Sequence, residues 1–406
     1  MFLDLFPINH AARNGRNPSV QKEDTMQGIS LAYLMACVRA LWGANFNLLN
    51  TAVRRTVTTV SYGKEDTLAL DAIAEEEIAE SLTRFDHSAT LVTEEAGKLA
   101  SGDGNHQHGA QFFSDPVDGS KQLQQFLMRS KFDPQARVAD LIYASSAVAD
   151  WEKMHGAPAS VTGACSAITM VRDGVPVFAA ILNFISQELV VACRDGIVRI
   201  SLPHIKDGLP EPLTPAWLFG NGTPLSFDWA PAQEKDWSRP FVTYLPNDET
   251  YRSNFQGCRI FGDDEKRVAS LVGKSTTGPA RPLYLSDLHR QPRVKFVAAN
   301  GEKIGEWIHW LPFIRFAKRG DEPLLRLYEV VPERPVVKGG ILMSPPPEYS
   351  IFQQVAHGVF LINCRRLRAF PNPSLFRSTL VLLPSDNVHI RSIMKSNRHR
   401  RIQLPS

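Results

Sequence analysis

The sequence predicts an α/β protein with α+β character, on three observations. Apolar residues recur at helical spacing near the start, short β-prone runs end in acidic clusters, and two Asp-Gly turns separate alternating segments that read as a meander.

Taken in order, residues 1–27 are mixed and polar and read as a loosely attached arm. From Gly28 to Arg55, the residues Leu31, Leu34, Met35, Val38 and Leu41 recur with the period of a helix. Thr67 is placed to cap a second helix, which runs through the acidic stretch 71–78 to about Leu82. Residues 89–93 form a short β-prone run leading into Glu94-Glu95, and Phe112-Phe113-Ser114 forms another leading into Asp115. Residues 121–160 show no strand pattern and read as an insertion or mobile segment. Residues 166–172, a turn at Asp173-Gly174 and residues 175–181 read as a hairpin. Residues 188–193, a turn at Asp195-Gly196 and residues 197–200 extend it. Seven prolines between 203 and 240 mark a connector. The predicted division is an N-terminal half over 28–205, a connector over 206–240, a C-terminal α/β half over 241–390 and a basic tail over 391–406. The second half alternates helical and strand-like segments, with a helix near residues 304–318.

With 406 residues, 43% of them hydrophobic and 21% charged, the chain can bury a sizeable core. A formal charge of +3 carries no global field for a nucleic-acid polymer or a membrane surface. The basic residues Arg365, Arg366 and Arg368, and then Arg391 to Arg401, read as a solvated end. Five widely spaced cysteines without a CxxC fit a reducing compartment and neither a disulfide framework nor a structural zinc site. The first residues have no basic n-region or long apolar run, and the most apolar stretch, 175–185, is too short to span a bilayer. The default expectation is a cytoplasmic protein.

The chemistry concentrates where the β-prone runs end. Mg²⁺ takes hard oxygen ligands from carboxylates and carbonyls. In Asp115-Pro116-Val117-Asp118, the proline fixes the backbone so that two carboxylates and the Val117 carbonyl can converge. Gly119 lets the chain approach an anion closely, Ser120 offers a hydroxyl, and a helix starting there would present free N–H groups to a phosphate. By itself Asp-Pro-x-Asp-Gly is also an ordinary turn sequence, so the metal reading depends on its context.

That context is Thr93-Glu94-Glu95 and Asp71 upstream and the Asp-Gly meander downstream. This order resembles the inositol monophosphatase superfamily of Mg²⁺-dependent, lithium-sensitive phosphatases, whose pattern is Gly-Glu-Glu followed by Asp-Pro-x-Asp-Gly-Thr/Ser. Here Thr93 stands for the glycine, and the match is specific over about residues 65–200. The resemblance implies a layered αβαβα sandwich of the sugar-phosphatase type and hydrolysis of a small phosphorylated metabolite: an inositol phosphate, a 3′-phosphonucleotide or a sugar phosphate. It implies two or three Mg²⁺ ions, or fewer. Glu94, Asp115 and the Val117 carbonyl would hold the first, Asp115 and Asp118 the second, and Asp71 would help with a third. Ser120 with Glu94 would polarise the attacking water, and the Gly119 and Ser120 amides would hold the phosphate. Lys121 looks more like the nucleotidase branch and could contact a second phosphate; a solvated lysine is the competing reading. A homodimer is common in the family and is not written in these residues.

The chain departs from the pattern at the family's last metal ligand, an aspartate in Trp-Asp-x-Ala at the start of a C-terminal helix. The best local match puts Ser350 there, and a shifted alignment puts Gln354 there. Residues 349–385 contain no Asp or Glu, which leaves Glu348 as the nearest replacement carboxylate. Three readings follow: Glu348 swings in, the enzyme runs on fewer metals, or the chain is an altered or inactive relative that binds a phosphorylated ligand. His106 and His108 sit in a Gly-rich stretch that reads as a surface loop. Arg319-Gly320-Asp321 reads as a helix C-cap with its turn, and residues 307–311 as aromatic core. No Gly-x-Ser-x-Gly, P-loop or dinucleotide fingerprint is present.

Overall fold

A computed structural model of the chain describes residues 18–100, 110–129, 133, 135–155, 159–210, 212–225, 242–244, 297–303, 308–330, 337–338, 341–342, 352–356, 359–362 and 377–384. The first helix, α1 (Pro18–Asn50), starts within the expected arm and stops before Arg55. Its buried stripe of Leu34, Val38, Leu41 and Leu48 follows helical spacing. After a break come the short helix α2 (Val53–Thr56) and a hairpin of β1 (Thr59–Tyr62) and β2 (Lys64–Leu68), reversed at Gly63 with φ of 62°.

Helix α3 (Ala69–Phe85) buries Leu70, Ala74, Ile78 and Leu82 in the core it shares with α1. The predicted cap is corrected here. Leu68 occupies the N-cap without a side-chain hydrogen bond, while the Thr67 hydroxyl is drawn to the Tyr62 carbonyl and to Glu95 Oε2, each at 2.7 Å.

The main sheet begins with β3 (Thr90–Thr93), β4 (Lys98–Ala100) and β5 (Ala110–Asp118). Four helices follow: α4 (Ser120–Arg129), α5 (Val138–Ile142), α6 (Ala147–His155) and α7 (Ala159–Thr162). They replace the expected insertion with core, because Leu123, Leu127, Leu141 and Trp151 are all buried. Trp151 packs on Phe126 with ring centroids 5.5 Å apart.

The meander is β6 (Cys165–Arg172), β7 (Val175–Asn183), β8 (Glu188–Cys193) and β9 (Gly196–Ser201). Asp173 and Gly174 both have positive φ, 51° and 73°, as a two-residue hairpin turn requires. In the second hairpin Cys193 pairs with Gly196, so Arg194 and Asp195 form the turn, one residue earlier than expected. Within the segment expected as a connector lie helix α8 (Pro215–Asn221), capped by Thr214, and β10 (Thr223–Pro224), which pairs with β9, with Leu213 and Leu218 buried. The sheet runs β10-β9-β8-β7-β6-β5-β3-β4, antiparallel throughout except for the β3–β5 pair.

The remaining elements are β11 (Val242–Tyr244), β12 (Val297–Lys303), α9 (Trp310–Phe316), β13 (Lys318–Arg319), β14 (Glu322–Pro323) and β15 (Leu325–Val330). They end with β16 (Val337–Lys338), β17 (Ile341–Leu342), β18 (Phe352–Ala356), β19 (Val359–Ile362) and β20 (Arg377–Pro384). Six of these strands form a second sheet in the order β11-β12-β20-β15-β19-β18. Arg319-Gly320-Asp321 is corrected to the reversal of the β13–β14 hairpin, because α9 ends earlier, at Phe316 with Ala317 as its C-cap. Trp310 and Leu311 are buried as core; Trp307 lies outside the described residues.

Layering follows from strand alternation. On β6, Ile168 and Met170 join the core shared with α1 and α3, whereas Thr169, between them, meets His309 beside α9. The helices α1 and α3 and the helix α9 therefore cover opposite faces of the main sheet. This is an α/β fold.

Candidate active site

The expected motif lies inside β5 and at its exit. Phe112, Phe113, Ser114 and Asp115 are buried, Asp115 only 2% exposed. Against β3 the strand is parallel, with Thr93 opposite Ser114, and the Glu94 amide continues the pairing to the Ser114 carbonyl at 3.2 Å. Because the two strands run the same way, Glu94 and Asp115 emerge side by side at their carboxyl ends.

Against β6 the register shifts: Asp115 faces Ala167, whereas Asp118 faces Cys165. Three steps along β5 match two along β6, which is a β-bulge at Pro116-Val117. Proline has no N–H for the ladder, so the bulge falls where the strand could not pair in any case. The Ser166 hydroxyl, buried on β6, donates to the Pro116 carbonyl and pins the bulge. The chain then turns at Gly119, whose φ of 81° suits glycine, and α4 begins at Ser120. The Leu123 amide closes its first turn onto the Gly119 carbonyl at 2.9 Å. Thus Gly119, Ser120 and Lys121 stand at a helix N-terminus, where unpaired amides favour an anion. Lys121 itself is exposed. Gln124 fastens α4 by donating to the Val57 carbonyl at 2.8 Å.

Asp71 sits in the first turn of α3 and is 5% exposed. One turn further along the same helix face is Glu75, which the sequence reading passed over as part of an acidic helix. Glu75 is fully buried and accepts hydrogen bonds from the Thr93 hydroxyl at 2.7 Å, the Ala96 amide at 2.9 Å and the Glu95 amide at 3.2 Å. Burial pushes its carboxyl above the ordinary range, the three hydrogen bonds oppose that, and the Glu95 charge adds to it. The spacing of Asp71 and Glu75, four residues apart on a buried helix face, was the available signal.

Of the proposed replacements for the missing aspartate, Glu348 and Ser350 lie outside the described residues, as do His106 and His108. Gln354 lies within β18, opposite Phe360 of β19, and not at the start of a helix.

Carboxylates with a backbone carbonyl are hard oxygen donors of the kind Mg²⁺ takes. Among the described residues, however, no three His, Cys, Asp or Glu side chains are grouped as a cation cage. The fit is in donor type and not in side-chain grouping. Also among the described residues, no helix is long and apolar enough to cross a membrane, and Cys37, Cys165 and Cys193 are buried and form no disulfide.

No protein-family model matches the chain, and no curated protein matches it. Among solved structures it is similar to CysQ from Bacteroides thetaiotaomicron, a bacterial member of the inositol monophosphatase family. The two are 14% identical with a TM-score of 0.47, over 88% of this chain and 98% of that one. It is also similar to a Pyrococcus horikoshii protein with similarities to inositol-1 monophosphatase, at 12% identity and a TM-score of 0.47 over 92% and 98% of the two chains. Inositol monophosphatase II from Staphylococcus aureus gives 10% identity and a TM-score of 0.42 over 94% and 97%. With all three TM-scores below 0.5, the functional reading rests on this chain's own residues.

Proposed function

We propose that the chain is a phosphomonoesterase of the inositol monophosphatase kind, acting on a small phosphorylated metabolite. The observation that carries the reading is the junction at 115–120: a buried carboxylate strand end, a bulge pinned by Ser166 and a left-handed glycine deliver the chain directly into a helix N-terminus.

The substrate phosphate sits against the Gly119 and Ser120 amides, where the helix end favours negative charge. Lys121, at the rim, is available to a second phosphate or to solvent. The Ser120 hydroxyl and the Glu94 carboxylate orient the attacking water opposite the leaving oxygen. Glu94, Asp115, the Val117 carbonyl and Asp118 are the groups that would hold Mg²⁺, with Asp71 near a further ion; when bound, Mg²⁺ supplies the positive charge that phosphate-ester hydrolysis needs. Inositol phosphates, 3′-phosphonucleotides and sugar phosphates are the substrate classes to separate.

The deciding experiment is a phosphate-release screen over these three classes with and without Mg²⁺, run on the full chain and on Asp118→Asn. Release by the wild type and none by the variant is expected. Full activity in the variant would exclude this site. Binding of the esters without release would replace the hydrolase with a phosphate-binding protein.

A further inference from the structure

The turn after β3 carries Glu94, and the structure holds that turn from outside the motif. A buried carboxylate is costly unless hydrogen-bonded, so the contacts of Glu75 show what its burial accomplishes. The three hydrogen bonds that reach it come from Thr93, Glu95 and Ala96, that is, from both sides of Glu94. The Thr93 hydroxyl also accepts from the Ala96 amide at 3.2 Å, so one side chain joins the helix carboxylate to both ends of the turn. Two further contacts close around it. Thr67 donates to Glu95 Oε2 at 2.7 Å, and a Cβ added at Gly63 would come within 2.3 Å of the Glu95 carbonyl oxygen, so the β1–β2 hairpin rests directly on the turn. Glu94 is thereby fixed through both of its neighbours.

We propose that Glu75, bridged by Thr93, is a positioning residue that sets where the Glu94 carboxylate stands at the phosphate site. The proposal rests on the phosphomonoesterase reading and adds to it a buried carboxylate outside both acidic motifs, bridged by the first residue of one of them. Glu75 acts through its hydrogen bonds to residues 93, 95 and 96.

The test uses the full chain with Thr93→Val, which keeps the shape and removes the hydroxyl, and Thr93→Ser, which restores the hydroxyl alone. Glu75→Gln, which replaces one carboxylate oxygen with a carboxamide NH2 so that either the Glu95 amide or the Thr93 and Ala96 donors lose their acceptor, checks the other partner. Two quantities are read: amide hydrogen exchange of residues 94–97, and the Mg²⁺ concentration giving half-maximal phosphate release. In Thr93→Val and Glu75→Gln both rise about tenfold or more, the scale on which loss of a supporting hydrogen bond lowers site affinity, while exchange in β6 and β7 stays at its wild-type rate. Thr93→Ser returns both quantities to wild type. Unchanged exchange in the turn, or a serine variant that restores neither, would overturn the proposal. If the wild type releases phosphate from none of the esters, the functional reading falls, and the exchange measurement decides the positioning role alone.

Discussion

Thr169 on β6 and His309 beside α9 are joined by a 2.8 Å hydrogen bond to His309 Nδ1, across 140 residues of sequence. His309 is fully buried, and its Nε2 has no hydrogen-bond partner among the described residues. Desolvation therefore disfavours the imidazolium and pushes its pKa down to about 3.

This fixes an acid response. Between the ordinary histidine pKa of about 6.5 and the folded value of about 3, the unfolded chain holds a proton that the folded chain refuses. Stability from this residue is complete above that window and falls as pH drops through it, by at most about 1.4 kcal/mol per pH unit. Urea unfolding at pH 7, 6, 5 and 4 measures the slope. His309→Gln, which does not titrate, is expected to remove up to one proton's worth of it.

Ser166→Ala tests the bulge. Removing the buried hydroxyl leaves the Pro116 carbonyl without that donor, at a cost of about 1 kcal/mol in unfolding free energy. Because the carbonyl lies between Asp115 and Asp118, phosphate release should fall more than this small stability loss accounts for. The comparison is kcat at a temperature where both proteins are folded.

Gly63→Ala tests the hairpin support. The residue has φ of 62°, and an added Cβ would collide with the Glu95 backbone. The left-handed backbone alone costs an alanine about 1–2 kcal/mol. A measured loss beyond that, by denaturant unfolding, would report displacement of the turn that carries Glu94.

Trp151→Ala tests whether the segment after the motif is core. A fully buried tryptophan in contact with Phe126 predicts destabilisation of about 3–5 kcal/mol. A loss below 1 kcal/mol would return the segment to the status of an insertion.

Local signals carried much of this fold. The two hairpins were legible because β-prone runs and turn residues act over a few positions, and the acidic motif because its residues are contiguous. Other features were hidden for physical reasons. Helices of four and five residues, such as α7 and α5, are too short for a period to show. Thr67 looked like a cap, yet its hydroxyl was claimed by Glu95, 28 residues away. Glu75 reads as one acid among several, because its partners lie 18 to 21 residues further on and meet it only once β3 is docked. In the site, Asp115 to Ser120 was readable as a strand-to-helix junction. The bulge was not, since it exists only through pairing with β6.

The borders of the main sheet have a consequence of their own. Among the described residues, β10 at one end is two residues long and includes Pro224, and β4 at the other is three residues long. An exposed border strand invites a second molecule to add its own, and short or proline-bearing borders give it little to zip onto. The sheet's strands β6 to β9, rich in valine, isoleucine and alanine, can therefore stay a private sheet at high concentration, where a longer unguarded rim would seed fibres.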